Sequence, residues 1–466
     1  MNIVFEITKA TNKIANQAFD YDKKHRISEI EIKEIEERVF LDYKSKNYDF
    51  SKPVTLILKQ DNGTRRVKKF SEDFSAENIL CLCIKQILDK RFKISYPNRN
   101  KISRSLFNAL GTIKEKVDFT IVKFDFKDYF NTLSSVYVYE KIIKSNLNDR
   151  YQTDLIEKYV RETKFAYAGL STSNVIAEII GILFDEEIKK NFSSFGLFFY
   201  ERYIDDGFII LNEYLPKTKC EEIINDSIDK VFYDKSFDSH PKCVTKLNLS
   251  KLKCITRREM IDNVPYEVSF LGYEFYIKKD SLQGGKIILN YGITVEKRDK
   301  YRKRLKELIE LYNNYDSPDY NNLELLRHRL MAFSRREVYL TKKFKSNIWK
   351  VKGFISSYGE LRYFLKQNLV EINTKNFLEN AIIDAFNNSG LPLPYFLKGE
   401  SNKAYSLYHN MLENRTLLFE PHIGYCEKAL NLLCEKIGIP HLDSLGNKRD
   451  YDTLLRDYLI KIKVGY

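Results

Sequence analysis

Apolar positions recur with two periods along this chain, and the change from one period to the other predicts its elements. Between Ser28 and Leu41, Ile30, Ile32, Ile35, Val39 and Phe40 sit among Glu and Lys at roughly helical spacing, so residues 1–45 read as helical. Val54-Thr55-Leu56-Ile57-Leu58, then Asp61-Asn62-Gly63, then a basic run from Thr64 to Phe70 predict a hairpin. Residues 74–95 read as a helix around Ile79, Leu80, Ile84, Ile87 and Leu88, and Tyr96-Pro97 turns the chain into a basic helix start. Phe119 to Phe126 is an apolar-rich strand. The Gly/Ser stretch from Gly169 runs into a long apolar helix up to residue 190. Gly196–Arg202 and Gly207–Leu211 are strands, with Asp205-Asp206-Gly207 read as the turn between them. A tight turn at Leu271-Gly272-Tyr273 and another at Gln283–Lys286 close the sheet-forming part. From residue 295 onward the chain reads as mostly helical and basic, including Leu323 to Arg336 and a helical pair over 347–366. Residues 371–466 read as α-helical, broken at Pro392 and Pro394.

With 466 residues the chain exceeds one ordinary domain. The formal net charge of +13 favours a polyanionic partner, nucleic acid before an anionic membrane surface. Tyr and Phe number 32 and 31, a supply that suits base stacking, although most of those rings must be core. The seven cysteines include no Cys-x-x-Cys pair, and the six histidines form no metal-spaced cluster. That pattern predicts reduced thiols, no zinc site and a cytoplasmic protein. No run of 18 apolar residues is present and the N-terminal residues lack a secretory pattern, so no membrane partner is expected.

Two adjacent carboxylates at a hairpin tip repel each other, and a divalent metal with a taste for hard oxygen ligands, such as Mg²⁺, would neutralise them. Asp-Asp-Gly is also ordinary turn chemistry, and the tetrapeptide alone leaves both readings open. Asp125, delivered at the end of an apolar strand, is a candidate third ligand, whereas Asp128 fits a turn or helix N-cap. Arg99, Lys101 and Arg104 are candidates for a triphosphate. Gly169 and Ser171 lie in a loop whose backbone a nucleotide could approach closely.

Taken in order, these pieces resemble the palm of a reverse transcriptase over roughly residues 50–360. Phe124–Phe130 resembles the first palm motif, Gly169–Ile179 the second, Tyr203–Asp206 the third and Asn248–Lys251 the fourth. Phe270, Leu271, Gly272 and Tyr273 resemble the primer grip. Ser171 stands where retrons and intron enzymes usually have Pro, and Glu178 stands where many have Asn. The Ala177-Glu178-Ile179 step and the C-terminal extension are similar to bacterial defence-associated and abortive-infection reverse transcriptases.

The resemblance implies an α+β right-hand polymerase. A helical segment (1–45) would precede fingers and palm with an antiparallel sheet (46–290), a helical thumb (291–370) and an α-helical C-terminal extension (371–466). It implies an RNA-directed DNA polymerase that adds dNTPs to a 3′-hydroxyl with two Mg²⁺ ions, Mn²⁺ being a substitute. Asp125, Asp205, Asp206 and the main chain of Phe126 would hold the metals. Lys251 would serve the pyrophosphate leaving group, and Phe130 would be the gate against ribose. Arg327, Arg335 and Arg336 would follow nucleic acid. Implied partners are an RNA template, with a cognate non-coding RNA as one candidate, the DNA product and dNTPs, with either a second copy of the chain or a second defence protein. Two alternatives stay open: a template-independent or protein-primed DNA polymerase of the abortive-infection type, and a non-catalytic nucleic-acid-binding scaffold.

Overall fold

Ser28 starts the helix Glu29–Ser45 through a capping box. Its hydroxyl accepts from the Glu31 N–H at 3.2 Å, and Glu31 Oε2 accepts from the Ser28 N–H at 2.7 Å. This computed structural model describes residues 3–17, 27–60, 63–313, 320–343, 346–443 and 446–464. The chain is mixed α+β and divides into two units. The first comprises Met1–Ala15, Ile27–Phe270 and Lys278–Ile288; the second comprises Asn16–Arg26, Leu271–Ile277 and Leu289–Tyr466. Two units stand where four segments were expected, and the division at Ile288/Leu289 lies two residues from the expected boundary after residue 290.

In the first unit, Ile7, Ala10, Ile14 and Val39 from the N-terminal helices join the main core. The hairpin predicted over 53–70 is β1 (Val54–Gln60) and β2 (Gly63–Lys69), in register from Val54↔Lys69 to Gln60↔Gly63. Its turn residues Asp61 and Asn62 lie outside the described residues. In the helix Ala76–Arg91, Ile79 to Ile84 are all buried, so it is a core helix rather than an amphipathic surface one.

The central sheet is antiparallel. Its strands are β3 (Thr120–Lys127), β4 (Leu197–Tyr203), β5 (Asp206–Leu211), β6 (Lys246–Leu247) and β7 (Lys253–Thr256), ordered β4-β5-β3-β6 with β7 also on β3. Period-2 alternation gives β3 two unlike faces. Phe124 and Phe126 point into an aromatic core, Phe126 lying 5.1 Å from Phe184 and 5.7 Å from Phe232, ring centre to ring centre. Phe184 and Phe232 come from the helices Ser173–Ser193 and Lys217–Phe232. Lys123 and Asp125 are left on the other face. Gly207 keeps an ordinary strand backbone; its need is space, since a Cβ there would stand 2.1 Å from the Phe124 ring.

β8 (Pro265–Phe270), β9 (Tyr273–Asp280) and β10 (Lys286–Ile293) follow as a three-stranded meander, and the division between the units runs within it. In the second unit, helices Val295–Asn313 and Tyr320–Ser334 agree with the helical expectation, and the next segment does not. β11 (Arg336–Lys343) and β12 (Ser346–Lys352) form an antiparallel hairpin where helix was expected. Tyr339 and Thr341 are buried on one side while Trp349 and Val351 are exposed on the other, a period-2 pattern masked by lysine and arginine. The C-terminal region is not wholly helical either. β13 (Thr416–Phe419) pairs in parallel with β11, from Arg336↔Thr416 to Tyr339↔Phe419. That pairing makes residues 371–466 part of the same unit as 291–370, not an appendage to it.

Candidate active site

The β3–β5 register sets Asp125 directly opposite Asp206. β4 and β5 are closed by the Tyr203↔Asp206 pair, so the turn is Ile204-Asp205, one residue earlier than the expected Asp-Asp-Gly. Ile204 takes a left-handed backbone (φ +62°), a costly conformation for a β-branched residue. The Phe126 N–H donates to the Asp205 carbonyl at 3.2 Å, fastening the turn to β3, and the Asn248 N–H donates to the Asp125 carbonyl at 2.8 Å. The short helical turn Leu249–Lys251 then aims Lys251 back. Its Nζ donates to Asp125 Oδ2 at 2.8 Å, while Asn248 Nδ2 donates to Asp125 Oδ1 at 3.4 Å. Lys123 Nζ donates to Asp206 Oδ1 at 2.8 Å and stands 4.0 Å from Asp125 Oδ2.

Three carboxylates here carry more negative charge than two lysines offset. Burial first, then Asp206 and Asp125, push Asp205 up to about 6. Burial also raises Asp206, against the pull of Lys123. Lys251 is raised chiefly by its hydrogen bond to Asp125. Among the described residues no group of three or more His, Cys, Asp and Glu side chains is gathered to hold a metal ion. Lysine ammoniums take the carboxylate oxygens instead. The donors are nevertheless the hard oxygens that Mg²⁺ prefers, and the raised Asp205 marks a place where added positive charge would be favourable.

These groups open into a cleft of about 690 Å³. Asp125, Phe126, Asp205 and Lys251 line it, with Asn248, Asp128, Tyr129, Phe130 and, from β2, Arg65 and Arg66. Of the expected set, Asp206 is not in the wall and is paired with Lys123. Asp128 makes no N-cap bond; it sits at φ +49°, and its carboxylate accepts from Asn131 Nδ2 at 2.7 Å.

Several expected nucleotide and nucleic-acid contacts are placed elsewhere. Arg99 and Arg104 are on the helix Arg99–Thr112, which contributes nothing to the cleft wall; the arginines there are Arg65 and Arg66. Gly169 (φ +103°) is packed closely against β2. A Cβ on it would stand 2.5 Å from the Lys68 carbonyl, and Ala168 next to it accepts from the Lys68 N–H at 2.7 Å. Ser171 turns to the core and donates to Cys81 Sγ at 3.3 Å. Phe270 packs on Phe208 with ring centres 5.3 Å apart. Leu271 and Gly272 form a left-handed turn (φ +54° and +80°), and Tyr273 donates to the Ser357 carbonyl at 3.4 Å. Arg327, Arg335 and Arg336 are tied into the second unit, to Glu324, the Ala404 carbonyl and Thr416 respectively.

Sequence reasoning passed over Lys123, Arg202 and Gly181. Lys123 had a visible signal: it is the lone charge inside Ile121-Val122-Lys123-Phe124. Gly181 and Arg202 had none, because their fit is a matter of three-dimensional proximity.

No family model and no curated protein matches the chain. Among solved structures, the telomerase of Candida tropicalis in complex with the TWJ fragment of telomeric RNA is similar over 80% of this chain and 68% of that one. The identity is 10% and the TM-score 0.34, a likeness too loose to carry an inference. No helix among the described residues is long and apolar enough to cross a membrane.

Proposed function

We propose that the chain is a nucleotidyltransferase, an RNA-directed DNA polymerase that extends a 3′-hydroxyl with dNTPs. The observation that carries the reading is the convergence of Asp125, Asp205 and Lys251 in one cleft walled by Arg65 and Arg66. Carboxylates beside paired arginines suit a polyphosphate that must be bound and broken in the same place. Asp125 and Asp205, with Asp206 behind them in the chain, are the residues that would hold Mg²⁺. When bound, Mg²⁺ supplies an activated attacking oxygen and charge relief on the leaving one.

The chain's own residues do the rest. Arg65 and Arg66 bind the β- and γ-phosphates. The 3′-hydroxyl gives up its proton to water, its oxygen forms a bond to the α-phosphorus, the bond from that phosphorus to the bridging oxygen breaks, and pyrophosphate departs. Lys251 leaves Asp125 to meet the charge on pyrophosphate and gives it a proton. Phe130, half-buried in the cleft wall, packs against the sugar and excludes a 2′-hydroxyl.

The test is extension of an oligo(dT) primer on poly(rA) with dTTP and Mg²⁺, run beside Asp125→Asn. Incorporation that Asp125→Asn abolishes supports the reading, and none from the wild-type chain with any template or primer sinks it. Product formed without template, or product whose migration changes after proteinase, moves the reading to the template-independent or protein-primed alternative. A role in antiphage defence is supported by the sequence resemblance alone. Plaque counts on cells carrying the wild-type chain or Asp125→Asn test it.

A further inference from the structure

Arg202 is 7% exposed and every donor of its guanidinium is used. Nε and one Nη2 hydrogen go to Asp185, at 2.7 and 3.0 Å. Nη2 and Nη1 reach Glu178 at 3.1 and 3.4 Å. The remaining Nη1 hydrogen goes to the Ile204 carbonyl at 2.7 Å. Five donors meet five acceptor contacts, the full capacity of a guanidinium.

The cradle is written on one helix. Glu178, Gly181 and Asp185 fall at successive turns of Ser173–Ser193, so they share a face. The two carboxylates flank a gap at Gly181, and the gap is required. A Cβ on Gly181 would stand 2.2 Å from Arg202 Nη2 and 2.6 Å from Cζ. Tyr200 steadies the far end, its hydroxyl donating to Asp185 Oδ1 at 2.6 Å.

The fifth contact is the informative one. Ile204 holds a left-handed backbone, costly for a β-branched residue, and any rotation of the Ile204–Asp205 peptide plane would swing Asp205. The Arg202 bond to the Ile204 carbonyl blocks that rotation. The next carbonyl, of Asp205 itself, is held by the Phe126 N–H at 3.2 Å. Both peptide planes flanking Asp205 are therefore pinned, one by Arg202 and one by β3.

We propose that Arg202 is a positioning residue. Seated between Glu178 and Asp185 over Gly181, it locks the Ile204 peptide and so fixes where Asp205 stands in the cleft. The inference rests on the reading of Asp205 as a working carboxylate, and its test also has a readout that does not.

Arg202→Lys, Gly181→Ala and Asp185→Asn are compared with wild type in two measurements. The first is steady-state dNTP incorporation. Misplacement of a reacting group by about 1 Å costs about 100-fold, so kcat is expected to fall by about that factor while KM for dNTP stays within about threefold. The second is hydrogen exchange, in which the Phe126 amide is expected to exchange about tenfold faster while the Ile209 and Ile210 amides keep their protection. Asp185→Asn keeps the shape of the cradle and is the variant to read if Arg202→Lys does not fold. Wild-type exchange at Phe126 with wild-type kcat in folded Arg202→Lys and Gly181→Ala overturns the proposal. So does a uniform loss of protection in all three variants, which would mark Arg202 as a support of the whole unit. If the wild-type chain transfers no nucleotide, the reading of the site fails, and the exchange at Phe126 still decides whether Arg202 holds the turn.

Discussion

Lys123 Nζ lies 2.8 Å from Asp206 Oδ1. A cation on β3 thus answers the second carboxylate of the pair, while Asp125 and Asp205 stand in the cleft wall. Removing it strands a half-buried carboxylate. Lys123→Met is expected to destabilise the protein by about 1–3 kcal/mol, read by urea unfolding. In a double-mutant cycle, Asp206→Asn should recover part of that loss, because the stranded charge is gone. Equal losses with and without Asp206→Asn would show that the pair is not coupled.

Adding Mg²⁺ should raise the melting temperature at pH 7.5, since a cation offsets the burial and the carboxylate repulsion that push Asp205 up. The rise should vanish in Asp125→Asn with Asp205→Asn, and chelator should reverse it in wild type. A rise of the same size in the double variant places the cation elsewhere.

Arg65 and Arg66 are exposed, so removing either should cost little stability. Arg65→Ala and Arg66→Ala are each expected to raise KM for dNTP about tenfold, the value of one charge-assisted contact. Arg99→Ala should leave it unchanged. Initial rates across a dNTP titration separate the two sets; a KM effect confined to Arg99→Ala would return the triphosphate to the helix Arg99–Thr112.

Phe130→Ala opens the cleft wall where a 2′-hydroxyl would fall. Incorporation of rNTP relative to dNTP should rise by about 10- to 100-fold. Side-by-side incorporation decides it, and an unchanged ratio in an active variant puts the gate on another residue.

His328 is fully buried, with Nδ1 2.9 Å from the Tyr458 hydroxyl. Burial first, then Arg327 and Lys436, lower it from 6.5 to about 4. Between those values the unfolded chain binds the proton and the folded chain does not. Its contribution is therefore fully present above about pH 6.5 and is lost as pH falls toward 4, by at most about 1.4 kcal/mol per pH unit. Urea unfolding of wild type and His328→Gln across this range should show a steeper acid loss for wild type. Parallel curves would mean that His328 is protonated in the fold.

The strand carrying Asp125 and the Asp205-Asp206 hairpin were legible because apolar alternation brackets each of them. What alternation cannot show is register, and the Asp125↔Asp206 pairing exists only once β3 and β5 meet. The turn was misplaced by one residue because Gly207 drew it forward. That glycine answers to the Phe124 ring, which lies 83 residues earlier in sequence than Gly207 and so gives no local cue. Charge hid β11 and β12: a stretch dense in Lys and Arg reads as a solvated helix unless Tyr339 and Thr341 are counted as one buried side. β13 is four residues long, and nothing in Thr416–Phe419 names β11 as its neighbour.

The parallel pairing of β11 with β13 also sets an order in time. Asp125, Asp205, Lys251 and both cleft arginines have all been synthesised by residue 251, and the first unit lacks no residue beyond Ile288. Arg336 must wait 80 further residues for Thr416, its partner across the two strands. At cellular rates of about 5–20 residues per second, that is roughly 4–16 s with one edge of β11 uncovered on the ribosome. The half of the chain that carries the candidate site can thus be finished while the other half still holds an open strand, the stage at which a nascent chain is most in need of a chaperone.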